Sequence, residues 1–402
     1  MKLEILNALD ANSLLKELNA PSSKFEEAEA FLKLKVPSKK SEAYRYFDTS
    51  FVKNDYPIYE PKEPIFNEGR DLIIQDGRVL GTPSGISVEV KEFADTDKEH
   101  FDPLYYMGHI LAQKAIIVRV SKDAVFNIKH ILSQKSSLIN YRVVIFVDAN
   151  IYATIYETIN NTCEDSLVMA GYDIFCSRDA NLNFITDRNH DLDNSVIFSN
   201  RYKVDSNATF NLYTFDYAKF NALTLFRAEL HEHAEFNAKH LLYTKDKAKC
   251  GTVSQIVHRG QSSHSEQNAK NILDDNSRGI FDALIKVEHS GKYTKAHQNS
   301  KAILVNDGAY MASKPQLEIY IDDLEASHGS TTGQLDKAQL FYLQSRGINK
   351  EEAKKMLILG FANEIIDSIE NKEIQESVHA SFESAYYGIP KLECLQSCDT
   401  CL

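Results

Sequence analysis

Between about residue 115 and residue 325, apolar and polar side chains alternate one by one in short runs: AIIVRV, RVVIFVDA, NIYATIYE, ATFNLYTFD, AKFNALTLF, KHLLYT, ALIKVEH and QLEIYID. A period of two sends successive side chains to opposite faces of an extended backbone, so these runs read as strands. No long helical periodicity separates them, which disfavours alternating layers of strand and helix. A tetrapeptide recurs in the same region. Ala-x-Phe-Asn stands at Ala124–Asn127, Ala208–Asn211, Ala218–Asn221 and Ala234–Asn237, with Ala180-Asn-Leu-Asn183 as a weaker relative. A short strand, a corner marked by a small residue and Asn, then another strand is the pattern of a parallel β-solenoid, whose coils cover one another's apolar faces. A β-sandwich also accepts many short strands; the irregular repeat favours the solenoid.

The flanks obey a different period. Residues 1 to about 55 read as helical: Ser23 with Glu26 forms a capping box opening FEEAEAFLKL, and Pro37 closes that run. The stretch from 56 to about 100 is rich in proline and reads as irregular, with a strand or two. Helical periodicity returns after Gly333. Asp336 with Gln339 caps KAQLFYLQSR, which Gly347 ends, and Asn349 with Glu352 caps EEAKKMLILGFANEIIDSIE. There Ala353, Leu357, Phe361, Ile365 and Ile369 fall at steps of four, and Met356, Leu359, Ala362 and Ile366 widen the stripe beyond the needs of a solvated surface helix. A third helix runs from Lys372 to about Tyr387, before Gly388-Ile-Pro390. The surplus apolar surface suits a cap on the solenoid or a face for another protein. The expected organisation is a helical and irregular region over 1–100, a solenoid core over 101–332 and a helical domain with a cysteine-bearing tail over 333–402.

Of the 402 residues, 43% are hydrophobic and 25% charged, ordinary values for a soluble globular chain. A net charge of −12 argues against a nucleic-acid partner, because phosphate binding favours a basic face. No stretch approaches the roughly eighteen uninterrupted apolar residues of a membrane span. Acidic residues run through MKLEILNALDANSLLKELNA, unlike a signal peptide. A cytoplasmic location without membrane contact is expected, and the six cysteines then read as free, metal-binding or catalytic. Cys163, Cys176 and Cys250 are scattered, whereas Cys394, Cys398 and Cys401 crowd the end of the chain.

Motifs of common enzymes are missing. There is no GxxxxGK[ST] loop, no GxGxxG after a strand, no HExxH and no GxSxG. The chain is therefore not expected to be a nucleotide-hydrolysing enzyme itself. Solenoid enzymes that cleave glycans need carboxylates along one sheet face, but Asp322, Asp323 and Glu325 read as a solvated corner. His231 and His233 would share one face of a strand, a geometry open to a metal, although only Glu229 and Glu235 offer further donors nearby. A polar solenoid face is the plainer account. Cys394-x-x-x-Cys398-x-x-Cys401 has the spacing of the radical S-adenosylmethionine motif, but that motif opens a barrel and only Leu402 follows it here. Three such thiols can share one metal or hold persulfide sulfur; a frayed tail with incidental thiols explains them equally well.

Residues 313–366, SKPQLEIYIDDLEASHGSTTGQLDKAQLFYLQSRGINKEEAKKMLILGFANEII, resemble the SufB/SufD family. In that family a strand ending PxLEI, a Ser-His-Gly turn, GQLD, LFYLxSRGI and an apolar helix follow one another. KKSEAYRYFDTSF near the N-terminus is similar to the family's basic-aromatic motif. SufB-like chains carry a cysteine in the strand before the proline and a glutamate after the histidine. Here the strand reads DGAYMASKP and Gly329 follows His328, so the chain resembles the SufD side.

The resemblance implies a mainly β fold, a right-handed parallel β-helix flanked by N-terminal and C-terminal helices. It implies a scaffold subunit in iron–sulfur cluster assembly, not an enzyme, paired with a SufB-like paralogue. A SufC-like ABC ATPase would dock on the C-terminal helices, through Leu357, Phe361, Ile365 and Ile369. ATP would act only through that partner, sulfur would arrive through the complex, and the cluster would form transiently at the partner interface. Participation of a flavin is left open. His328 is carried over as the assembly residue at that interface, facing a partner cysteine; the alternative is a histidine that hydrogen-bonds its own turn. A free-standing solenoid enzyme or a purely structural adaptor are the competing readings of the whole chain.

Overall fold

The computed structural model describes residues 10–18, 20–34, 44, 56–94, 101–190 and 193–388, and the chain is 50% strand. It divides into two compact units, residues 1–334 and 335–402.

The first unit is a parallel β-solenoid of about seven turns. It is entered through four short strands, β1 (Asn67–Gly69), β2 (Asp71–Gln75), β3 (Arg78–Pro83) and β4 (Ser87–Lys91), where sequence patterning suggested only one or two. β5 (Ala115–Val120) and β6 (Ala124–Leu132) follow. The coils proper then alternate between two sheets. One sheet takes β7 (Leu138–Val147), β9 (Leu167–Cys176), β11 (Ser195–Val204), β13 (Asn221–Leu230), β15 (Lys249–His258), β17 (Arg278–Val287) and β19 (Tyr310–Ile319). The other takes β8 (Tyr152–Asn161), β10 (Asn181–His190), β12 (Thr209–Ala218), β14 (Glu235–Thr244), β16 (His264–Leu273), β18 (Lys295–Leu304) and β20 (Glu325–Gly333). Among the described residues the sheets hold nine and eleven strands.

The inward faces of the coil strands from β7 to β19 supply most of the core. Phe184, Phe198, Phe210, Phe226 and Phe236 are buried between the sheets, with Phe210 and Phe236 edge-on at 5.5 Å. Burying each such side chain contributes about 1.5–3 kcal/mol. Corners are made by residues that tolerate the left-handed conformation: Asn150, Asp179, Asn207, Asp246 and Asp275 have φ of 51–63°.

The Ala-x-Phe-Asn repeat has a direct structural meaning in consecutive coils. Ala180, Ala208 and Ala234 stack at one corner, fully buried, and Leu182, Phe210 and Phe236 stack inside. Asn183, Asn211 and Asn237 stack outside as a ladder. The Asn237 amide donates to Asn211 (2.9 Å), the Asn211 amide to Asn183 (2.9 Å), and the Asn183 amide to the Tyr152 hydroxyl (2.8 Å). Ala218–Asn221 does not join this column, because it spans the corner between β12 and β13.

Among the described residues, three α-helices belong to this unit: α1 (Ala11–Glu17), α2 (Phe25–Leu34) and α3 (Pro103–Leu111). Ser23 lies in a short 3-10 turn before α2, where its hydroxyl reaches Glu92 at 3.4 Å. Leu104, Tyr105 and Ile110 pack with Leu167, Ile197 and Leu223 on the outer face of the nine-stranded sheet.

The second unit contains α4 (Lys337–Ser345), α5 (Lys350–Ile366) and α6 (Lys372–Tyr387). Asp336 accepts from the amides of Ala338 and Gln339, Asn349 from that of Glu352, and Asn371 from that of Ile374, so each helix carries a side-chain cap. Gly347 (φ 87°) and Gly388 (φ 69°) leave the helices in the left-handed region that favours glycine.

Candidate functional site

Each sheet of the solenoid stops at a full-length strand. β19 pairs on one side with β17, β20 on one side with β18, and no described strand covers their other edges. β20 reads EASHGSTTG, without a lysine, arginine or proline to discourage pairing. β19 carries Pro315, which an edge strand tolerates. Exposed edges of this length are templates for another strand.

His328 stands in the middle of β20, in an edge strand, and not in the turn expected from sequence. Its register partner on β18 is Gln298. Parallel partners share a face, and Gln298 is buried inside the solenoid. Ala326, two residues earlier, packs against the core. Ser327 lies on the opposite face, where its hydroxyl meets His297 Nδ1 at 2.8 Å. His328 therefore belongs to the inward row, and it is exposed because no further coil covers it.

That row changes character along the axis. Through β8, β10, β12, β14, β16, β18 and β20 it reads Ile155, Phe184, Leu212, Ala238, Gln267, Gln298, His328. The two glutamines bridge the interior. Gln267 Nε2 donates to Ser254 Oγ on the opposite sheet (3.0 Å), and Gln298 Nε2 donates to the Gln316 carbonyl (2.8 Å). This row is apolar where the solenoid begins and hydrogen-bonded where it ends.

The four residues expected at a docking face separate in the structure. Leu357 and Phe361 are partly exposed on α5, whereas Ile365 and Ile369 are packed inside the helical unit with Ala353, Ile358, Ala362 and Ile366. The exposed apolar surface is larger on α4, which has no buried residue: Phe341 is 73% and Tyr342 57% exposed, joined by Met356 of α5 at 46%. Cys394, Cys398 and Cys401 lie outside the described residues, as does all of the N-terminal basic-aromatic motif except Tyr44.

His231 and His233 do not share a strand face. They sit in the corner between β13 and β14, with His233 at φ 56°, because the strand ends at Leu230. Among the described residues, no group of three or more His, Cys, Asp or Glu side chains is arranged to hold a metal. The remaining three cysteines are free and buried. Burial pushes the Cys163 thiol up to about 11 and those of Cys176 and Cys250 up to about 12, so they stay protonated and inert. No helix among the described residues is long and apolar enough to cross a membrane.

Two buried charge networks had no signature in the sequence. Inside the solenoid Arg188 pairs with Glu157 at 2.7 Å, and its guanidinium lies 3.6 Å from the Phe198 ring centroid. His130 is 3.3 Å from Glu157 and bonds the hydroxyls of Tyr141 and Tyr172. Burial would raise the Glu157 carboxyl, but Arg188 and His130 hold it below the usual range. The second network fastens α3 to the sheet. Arg142 bonds Asp173 (2.8 Å) and the Ser199 carbonyl (2.6 Å), while Tyr105 OH (2.7 Å) and His109 Nε2 (3.2 Å) also reach Asp173. Gly171 makes room for this: a Cβ there would stand 1.9 Å from the Ser199 carbonyl oxygen and 2.3 Å from the Arg142 guanidinium.

A family model described as "SUF system FeS cluster assembly, SufBD core domain" matches residues 130–361. The chain is also similar to iron-sulfur cluster assembly protein SufD of Escherichia coli, 46% identical over 72 residues, which are 18% of this chain and 17% of that one. A SufBD family iron-sulfur cluster assembly protein of Mycobacterium leprae is 42% identical over 81 residues, 20% of this chain and 21% of that protein. The chloroplastic protein ABCI7 of Arabidopsis thaliana is 41% identical over 73 residues, 18% of this chain and 15% of that protein. The aligned stretches thus span about a fifth or less of these relatives. The family match is much longer. It covers more than half of the chain, and its residues make up the coils from the end of β6 through α5. The chain belongs to the SufB/SufD family, as a SufD-like member.

Proposed function

We propose that this chain is a scaffold subunit of an iron–sulfur cluster assembly complex, whose open solenoid end pairs with a SufB-like paralogue. The observation that carries this reading is the uncovered pair of edge strands β19 and β20, with His328 on the inward face of one of them, in a chain of this family. Pairing would satisfy the free backbone groups of both edges and bury the polar end of the core. His328 would then lie where two chains meet, opposite a thiolate supplied by the partner. Iron in clusters is held mainly by thiolates, and an imidazole can take one position. A single neutral nitrogen from this side suits a cluster that is assembled and released. The chain holds no thiol in β20, so it contributes a ligand without completing a site.

The helical unit supports the second half of the proposal, docking of a SufC-like ABC ATPase. α4 offers Phe341 and Tyr342, and α5 adds Met356, Leu357 and Phe361, whereas Ile365 and Ile369 hold the unit together from inside. β20 runs directly into α4 through residues 334–336, so force applied to the helices by a closing ATPase is transmitted along the backbone to the strand that bears His328. Such coupling needs an interface with two arrangements that the ATPase biases unequally. ATP enters only through that partner, and sulfur enters through the assembled complex.

Co-purification from cells expressing the chain with its genomic neighbours tests the assembly. A stable complex with an ATPase and a paralogue is expected; a self-sufficient monomer or trimer would overturn the reading. In the reconstituted complex His328→Ala should leave assembly of the subunits intact and lower cluster yield at least tenfold. Undiminished yield would remove His328 from the chemistry.

A further inference from the structure

The buried side chain nearest in register to His328 has an unused acceptor. Gln298 is 3% exposed, and its amide nitrogen is committed to the Gln316 carbonyl. Its carbonyl oxygen Oε1 is buried and has no hydrogen-bond partner. An orphaned buried carbonyl is costly, and native structures keep such groups where something completes them. One coil earlier the equivalent position is complete: Gln267 Oε1 accepts from Ser254 Oγ at 3.2 Å, while its nitrogen donates to the same hydroxyl. The next position outward from Gln298 is His328. Neighbouring strands lie about 4.8 Å apart, so a side chain in the next row can reach over the one below it.

We propose that Gln298 is a positioning residue for His328: its free Oε1 accepts the proton-bearing ring nitrogen that turns inward, leaving the other nitrogen unprotonated and aimed out of the open end. The inference rests on the proposed role of His328 as an assembly residue at that end. His328 is exposed in the isolated chain, and the proposed contact forms by rotation of its side chain toward the core. A histidine that ligates a metal through one nitrogen commonly donates through the other, and that bond sets the tautomer. Gln298 is suited to the task because its own orientation is fixed by the bond to Gln316 across the interior. The neighbouring inward positions on β18 and β20, Ala296, Ser300, Ala326 and Ser330, carry no charge. A charge placed at position 298 would therefore act on His328 without a competitor among these inward positions, the charged Lys295, Lys301 and Glu325 and the titratable His297 lying on the outward face of the two strands.

The test compares Gln298→Glu and Gln298→Met in the full-length chain labelled with ¹⁵N-histidine, the His328 signals being assigned by their loss in His328→Gln. Gln298→Glu keeps an acceptor and makes it anionic, so the His328 pKa should rise by about one unit. Gln298→Met removes the acceptor, and the ring should lose its tautomer preference with little change in pKa. The other histidine signals and the unfolding midpoint report whether each variant is folded. If a folded Gln298→Glu leaves both the pKa and the tautomer of His328 unmoved, Gln298 does not position it. In the reconstituted complex Gln298→Met should lower cluster yield about tenfold and Gln298→Glu should retain more of it. Should His328→Ala leave cluster yield intact while the two variants still move the His328 signals, the contact stands and the assembly role of His328 falls.

Discussion

Arg188 and Glu157 are both fully buried inside the solenoid, which makes each the other's condition for being there. Removing Arg188 strands a carboxylate beside Phe198 and two tyrosines, and Arg188→Met should cost about 3–5 kcal/mol in urea denaturation. The double variant with Glu157→Leu should recover most of that loss, since the uncompensated charge is then gone. Buried histidines add a pH dependence. Burial lowers His109 and His240 to about 4 and His258 to about 3, against the weaker pull of Asp173 on His109 and of Asp216 on His240. Their folded values lie below the unfolded one, so between about pH 6.5 and 4 the unfolded chain binds more protons and stability falls with pH. Asp102 works the other way. Burial raises it to about 6, and its protonation adds stability as pH drops from about 6 toward 4. Three histidines outweigh one carboxyl, at up to about 3 kcal/mol each, so the urea midpoint should decline steadily across this window. A midpoint flat from pH 7 to pH 4 would mean that these histidines are hydrated in the folded state. None of these residues was legible as buried from sequence, because burial depends on which coil lies above. Even His231 and His233, placed on one strand face by alternation, lie together in a corner whose position the pattern did not reveal.

At the scale of elements, the clearest signals were chemical and local. Side-chain caps at Asp336 and Asn349 and the break at Gly347 marked the C-terminal helices within a few residues. α3 escaped notice because PLYYMGHIL is apolar nearly all round, and such a run cannot be told from a buried strand by periodicity. The strands were legible and their pairing was not. Those of the larger sheet begin at 152, 181, 209, 235, 264, 295 and 325, and the unequal steps hide the repeat from any fixed period. The partnership of Gln298 with His328 is a product of those corners. The stripe on α5 shows a different limit: steps of four placed Ile365 and Ile369 beside Leu357 and Phe361, but packing of the unit buried the first pair. The face left over is on α4, which gives a prediction specific to that helix. Phe341→Glu should change the unfolding free energy by less than about 0.5 kcal/mol, as an exposed site. It should weaken retention of the proposed ATPase partner at least tenfold in a pull-down of the full chain.

For the whole molecule, the shift from apolar to hydrogen-bonded side chains along the row that ends at His328 has a mechanical consequence. In a solenoid each coil is held only by its neighbours, so stability is nearly a sum along one axis. The early coils pack Val143, Ile145, Phe184 and Phe198 around the buried Arg188–Glu157 pair. The last ones add to a smaller apolar cluster around Leu273 and Phe281 the polar Gln267, Gln298 and a few hydroxyls, which lose less on meeting water. The molecule should therefore unzip from the end that carries His328. Amide exchange measured by mass spectrometry should show β19 and β20 opening first, then β17 and β18, with β9 to β12 protected longest. Binding of the proposed paralogue should slow exchange at that end and leave the opposite end unchanged. A solenoid that frays first at its uncovered end would have that end, and the strand bearing His328, locked by the pairing proposed above.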